Sequence, residues 1–219
     1  MSPGRKINIV YVTSSDHKRQ ENEAFQRSQH LSDGRLVGDV FTFEIRGVRV
    51  QEILDVDIER MVREEVKSAY RQVKVPCIVE HAGLVFPKYA PKNYPGGLTK
   101  PMWDVLGGEF LSETHSAKRE AVARAIVAYT DGMTIKTFTG ERKGVLADRP
   151  KGTREFYWDT VFIPEDPDGR AKGKTYAEIV DDSSLGLDYK LKLSQSTVAM
   201  LSFLEYRLKN APPLWSGRP

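Results

Sequence analysis

With 219 residues, 40% of them apolar and 29% charged, the chain can bury a sizeable core and is neither disordered nor membrane-spanning. Its 33 Lys and Arg against 30 Asp and Glu leave a net charge of +3, too even for the clustered basic face that a nucleic-acid polymer demands. A single Cys77 excludes an intramolecular disulfide and a Cys-rich zinc site.

Along the chain, residues 7–13 form a short β-branched run that predicts a buried strand. The first fifteen residues hold two basic groups and no long apolar core, so no signal peptide is expected. Ser14-Ser15-Asp16 is an N-cap cluster for a polar helix over 17–30, and a second strand is expected over 38–46. Ile58, Met61, Val62, Val66 and Tyr70 fall at helical spacing behind Asp55 or Asp57 as cap. Pro76 ends that helix and opens a strand over 77–80, where the run VPCIV makes Cys77 a buried structural thiol, in keeping with a reducing cytoplasm. This β-α-β-α-β order predicts an α/β protein.

Residues 86–97, rich in Pro, Lys, Tyr and Gly, predict a surface loop before a short helix carrying Met102, Trp103, Val105 and Leu106. Val122, Ala125, Ile126 and Tyr129 share one face of a helix expected over 116–129. Residues 134–146 read as a strand pair, 156–163 as an aromatic strand, 164–174 as a polar turn and 189–209 as the last helix. No internal repeat is present, and no segment approaches the roughly 20 apolar residues that span a bilayer.

Generic signatures are missing: there is no phosphate loop of the G-x-x-x-x-G-K type, no G-x-S-x-G elbow and no H-E-x-x-H helix. His17, His30, His81 and His115 have no metal-ligand spacing with one another. The turn from Thr13 to Lys18 carries more information. Ligands of open α/β sheets bind at the carboxyl ends of strands, and the bare N–H groups of a helix start suit phosphate. Thr13, Ser14, Ser15 and Lys18 are therefore candidate phosphate contacts, against the plainer reading of a capped helix with a solvated lysine.

Thr13, Lys18 and Glu21, in the pattern T-x-x-x-x-K-x-x-E after the first strand, resemble the inosine triphosphate pyrophosphatase (ITPase) family. The later segments QEI (51–53), VEHAGL (79–84), YPGGLTK (94–100), FTGE (138–141) with Gly144, FYWDTVF (156–162) and TYAE (175–178) are similar to that family's motifs in the same order. The resemblance covers roughly residues 6–208. It implies an elongated, mixed, twisted sheet with helices on both sides and two lobes about a cleft, formed by residues 1–210, with a C-terminal tail at 211–219. It further implies hydrolysis of a purine or modified-purine nucleoside triphosphate at the α–β bond with Mg²⁺, Mn²⁺ being possible, in a cytoplasmic homodimer without membrane or nucleic-acid partners. Glu52 is then the metal ligand, Lys100 a phosphate contact, and Phe156, Trp158, Asp159 and Lys190 belong to the base pocket.

The family's motifs also mark where this chain departs from them. His81 stands where the family has its catalytic Asp, and Ala82 where it has a hydroxyl. Imidazole takes a proton but is a poor ligand for hard Mg²⁺. Glu155 and Tyr157 put large residues where the family's GFGYD motif has glycines, and Lys190 only partly replaces an Arg and His pair. Three readings stay open. The chain is a divergent pyrophosphatase in which His81 or Glu80 moves the proton. Or it is a nucleotide N-glycosidase that uses Glu155 or Asp159. Or it binds nucleotide without catalysis. Each residue also has a structural reading: His81 as a packed strand-end histidine, Lys100 as a loop lysine, Glu52 as a helix-start carboxylate, and Tyr157 and Trp158 as strand neighbours facing opposite sides.

Overall fold

The structure, a computed structural model, describes residues 6–107, 119–154 and 156–212. Strand β1 (Ile7–Val12) runs into helix α1 (Asp16–Ser28), whose cap is Ser15: its side chain accepts from the backbone N–H of Lys18 at 3.4 Å. A helical turn, α2 (Val37–Val40), replaces the start of the strand expected over 38–46, and β2 (Phe41–Arg46) then pairs parallel to β1. Helix α3 (Ile58–Val73) starts at Asp57, which accepts from the N–H groups of Glu59 and Arg60, and it buries the apolar stripe read from the sequence.

Strand β3 (Cys77–Val85) lies parallel to β1 and outruns its expected end at Glu80. A 3₁₀ turn (Pro87–Lys92), the two-residue strand β4 (Pro95–Gly96) and helix α4 (Thr99–Leu106) follow. Gly83 permits this crossing, because a Cβ there would stand 2.3 Å from the carbonyl oxygen of Gly96. Antiparallel strands β5 (Glu120–Thr130) and β6 (Ile135–Leu146), a 3₁₀ turn (Tyr157–Thr160) and β7 (Phe162–Pro164) complete the sheet in the order β2-β1-β3-β5-β6-β7, with β4 on β3. Helices α5 (Tyr176–Asp181), α6 (Gly186–Leu193) and α7 (Gln195–Lys209) close the chain.

Helices cover both faces of this mixed sheet. Phe25 of α1 and Phe203 and Leu204 of α7 pack with Ile9, Tyr11, Ile78 and Val127 on one face. Val62, Val66 and Ala69 of α3 pack with Val10, Cys77, Val79 and Ile126 on the other. A third core gathers Leu84, Leu146, Trp158, Phe162, Tyr176 and Leu193. Cys77 is buried, and burial pushes its thiol up to about 12, as befits a structural residue.

Four expectations are corrected. The helix expected over 116–129 is strand β5 where it is described, and residues 116–118 lie outside the described residues. The supposed helix face splits: Ala125 and Tyr129 pack toward α7, Ile126 toward α3. A strand covered on both faces shows no polar alternation, and its small apolar run imitates a helix. The strand pair of 134–146 is one continuous strand. Gly140 there serves close approach rather than a turn, since a Cβ would come 2.0 Å from the carbonyl oxygen of Gln195 in α7. The first half of the aromatic strand expected over 156–163 is the 3₁₀ turn, entered with Tyr157 at φ +47°, and only its end joins β7; Trp158, Asp159 and Thr160 are buried in succession, which a half-exposed strand does not allow. The last helix breaks at buried Ser194, whose backbone is extended and whose side chain accepts from the N–H of Ser196.

Candidate active site

A cleft of about 1340 Å³ opens where β1 passes into α1. Its walls come from residues 12–18, the segment 48–53, residues 79–82 of β3, Lys100 of α4, residues 156–159, Lys190 of α6 and Ser196 of α7. Thr13, Ser14, Ser15, Lys18, Glu52, Glu80, His81, Lys100, Phe156, Trp158, Asp159 and Lys190 all line it, so the residues singled out from separate motifs meet at one place. Glu155 lies outside the described residues.

At the β1–α1 turn, Thr13 Oγ1 accepts from the N–H of Ser15 at 3.2 Å. Lys18 Nζ donates to the carbonyl oxygen of Glu80 at 2.5 Å and stands 3.6 Å from its Oε2. The Glu80 carboxylate is engaged on both oxygens: Tyr11 OH donates at 2.9 Å and Ser196 Oγ at 2.6 Å. Burial pushes its pKa up, but Lys18 and these two donors outweigh it and hold the carboxyl below its ordinary value. The carboxylate thus accepts from two hydroxyls while facing Lys18.

Successive side chains of a strand face opposite sides. His81 therefore points away from Glu80, toward α3, where its Nδ1 lies 2.8 Å from Oε1 of Glu65. Both side chains are buried, His81 with 8% exposure and Glu65 with 4%. The contact is close, yet it falls short of hydrogen-bond alignment, and Glu65 Oε1 has no other donor among the described residues.

At the opposite end of the cleft lie buried Glu21, Asp159 and Lys190, with half-buried Arg154 beside them. Lys190 Nζ lies 2.6 Å from Glu21 Oε1 and 3.4 Å from Asp159 Oδ2. Arg154 stands 3.0 Å from Glu21 and 3.8 Å from Asp159. Burial pushes the Asp159 carboxyl up to about 6, helped by the like charge of Glu21 and opposed by Lys190 and Arg154. Phe156 lies under the ring of His17, with centroids 4.7 Å apart and planes 9° from parallel. Burial and the charge of Arg154 lower the His17 pKa. Trp158 instead packs on Phe162 and Tyr176 in the third core, so the 3₁₀ turn, not strand alternation, separates it from the cleft-facing Tyr157.

Glu52 and Lys100 face each other across the mouth, 4.0 Å apart, with Lys100 Nζ 5.7 Å from the centre of the Tyr157 ring. Burial lowers the Lys100 pKa, and the attraction of Glu52 and Tyr157 more than offsets it. Among the described residues no three His, Cys, Asp or Glu side chains converge on a metal position. A resident cage for a hard cation does not fit this set. One carboxylate, Glu52, does fit an ion that arrives on the phosphates, a common mode for Mg²⁺.

Sequence reading missed Glu65, Arg154 and His17. A carboxylate set between Met61, Val62, Val66 and Ala69 on a buried stripe was the signal for Glu65, since such a residue is seldom buried without a partner. Nothing in the local pattern marked Arg154.

The Ham1 family model matches residues 9–205. The chain is 33% identical over 162 residues to a dITP/XTP pyrophosphatase of Methanopyrus kandleri, covering 73% of this chain and 79% of that one. It is 30% identical over 204 residues to a dITP/XTP pyrophosphatase of Saccharolobus solfataricus, covering 92% and 94%. Its fold matches that of a HAM1 protein from Coxiella burnetii with a TM-score of 0.62 at 19% identity, over 94% of this chain and 100% of that one. A match spanning nearly all of the sheet and the cleft, with two relatives at or above 30% identity, identifies the chain as an ITPase-like member of the Ham1 family.

Proposed function

We propose that this protein is a nucleotide hydrolase that converts a purine or modified-purine nucleoside triphosphate into the monophosphate and pyrophosphate. The observation that carries the reading is the cleft itself: a hydroxyl-rich helix start with Lys18 beside it, a buried imidazole next to it on β3, and an aromatic, charged pocket beyond. The names of the curated relatives supply the reaction class.

The phosphates would lie against the N–H groups that open α1, with Lys18 and Lys100 as cations. His81 Nε2 would take the proton of a water whose oxygen attacks the α-phosphorus. The new P–O bond forms as the bond to the bridging oxygen breaks, and pyrophosphate leaves with that electron pair. Glu52 would hold the Mg²⁺ or Mn²⁺ that accompanies the triphosphate, and such an ion neutralises phosphate charge. Phe156, Tyr157 and the Lys190–Asp159 pair would receive the base, with Trp158 supporting them from the core. A single two-lobed domain over residues 1–210, a homodimer and a cytoplasmic location belong to the same reading.

The test is a screen of nucleoside mono- and triphosphates with products separated as pyrophosphate, phosphate and free base. Pyrophosphate from dITP or XTP supports the reading. The raised Asp159 carboxyl beside the base pocket favours one rival, general-acid cleavage of the N-glycosidic bond, and release of free base would replace the pyrophosphatase reading with it. Nucleotide binding without any product would leave a sensor.

A further inference from the structure

Glu65 is a buried carboxylate beside His81 that the reaction as written leaves without a task. It sits in the middle of the apolar stripe of α3, and an ionised group there is tolerated only if a cation or hydrogen-bond donors compensate its lost hydration. Among the described residues the only basic side chain within 4 Å of this carboxylate is the His81 ring, 2.8 Å from Oε1 through Nδ1. Lys18, the other cation near this stretch of β3, is held by Glu80 on the opposite face of the strand. The His81–Glu65 contact does not meet hydrogen-bond geometry as it stands, and the broad terminal torsion of histidine lets the ring turn toward it. Hydrogen bonds of this kind are often misaligned before substrate binds.

Resting on the hydrolase reading above, we propose that Glu65 is the positioning residue for His81. Its carboxylate holds the ring in the tautomer with hydrogen on Nδ1, which leaves the Nε2 lone pair to accept the proton of the attacking water. The same carboxylate offsets the positive charge that the ring carries once it has taken that proton. Glu65 borders the cleft with only 4% exposure, and its role is exerted through the imidazole.

The experiment combines a double-mutant cycle on the full chain, with dITP as substrate, and the imidazole ¹⁵N spectrum of His81. Glu65→Gln keeps the volume but can present an amide N–H to Nδ1 and select the wrong tautomer. It should lower kcat at least about ten-fold with KM within about two-fold, and it should cost nothing further in a His81→Ala background. Glu65→Asp should recover part of kcat. The wild-type spectrum should show the Nδ1–H tautomer, displaced in Glu65→Gln. Unchanged kcat in Glu65→Gln, or losses that multiply in the double variant, would overturn the positioning role and leave His81 as base. Full turnover in His81→Ala would overturn the base assignment and this inference with it. If Glu65→Gln fails to fold, or wild-type protein does not hydrolyse dITP, the wild-type spectrum decides alone: an Nε2–H tautomer sinks the pairing.

Discussion

Lys18 and His81 leave β1–α1 and β3 on opposite sides of Glu80, and the division of labour follows from that. Lys18 is anchored by the Glu80 carbonyl and carboxylate, so its charge is aimed before any ligand arrives. Lys18→Ala should weaken triphosphate binding about ten-fold or more, because a charge-assisted contact is worth roughly 1.5–3 kcal/mol; isothermal titration would measure it, and unchanged affinity would remove Lys18 from the phosphate site. His81→Ala should lower turnover by about 10²–10⁴-fold, the usual range for a lost general base. Asp159 makes a thermodynamic prediction of its own. With its folded pKa pushed up to about 6, the native state holds a proton that the unfolded chain releases, so this group makes stability fall as pH rises from about 4 to about 6. Glu80 acts in the opposite sense: its depressed carboxyl stabilises the fold above the ordinary carboxylate range, and that contribution is lost as pH falls below it. In urea titrations Asp159→Asn should therefore flatten the decline between pH 4 and 6; an identical slope would mean the carboxyl is ionised throughout that window.

Among the elements, β6 and α7 show how glycine placement sets packing. The Gly140 Cα lies so close to the first turn of α7 that a methyl group would meet the Gln195 carbonyl at 2.0 Å and the Ala199 nitrogen at 2.6 Å. Gly140→Ala should therefore destabilise the fold by about 1–3 kcal/mol, the usual cost of overpacking, or shift α7 outward. Because Ser196, at the start of α7, donates to Glu80, that shift should also loosen Lys18 and weaken nucleotide binding. Denaturant midpoints and affinities of the variant would check both, and wild-type values for each would show that the helix relaxes without consequence. The break at Ser194 belongs to the same geometry: it lets α6 present Lys190 and α7 present Ser196 to one cleft.

For the molecule as a whole, the cleft draws its walls from segments between residues 12 and 196, so a ligand within it ties distant parts of the fold together. A non-hydrolysable purine triphosphate with Mg²⁺ at a hundred times its Kd should stabilise the protein by about 2.7 kcal/mol. For a chain of this size that corresponds to a Tm increase of roughly 5–10 °C. Differential scanning fluorimetry with and without EDTA separates the two contributions. A shift that survives EDTA in full would show that nucleotide binding does not need the ion at Glu52.

Much was legible in the linear chain because local chemistry wrote it there. The β-branched run before Ser15 dictated β1 and the cap of α1, the stripe from Ile58 to Val66 dictated α3, and motif order by itself pointed to the family. The candidate residues that the structure describes come together at one cleft, although Trp158 turns its ring into the third core. The reading failed where burial on both faces erased periodicity, as in β5, and where one long strand was taken for a strand pair, as in β6. It failed again at the aromatic run after Arg154, where core packing around Trp158 folded the backbone into a 3₁₀ turn. Tertiary structure alone decided the partnerships. Glu65 meets His81 because α3 packs across β3, and Arg154 meets Glu21 because a late loop closes over the first helix. Such contacts join residues far apart in the chain, and no local propensity or spacing encodes them.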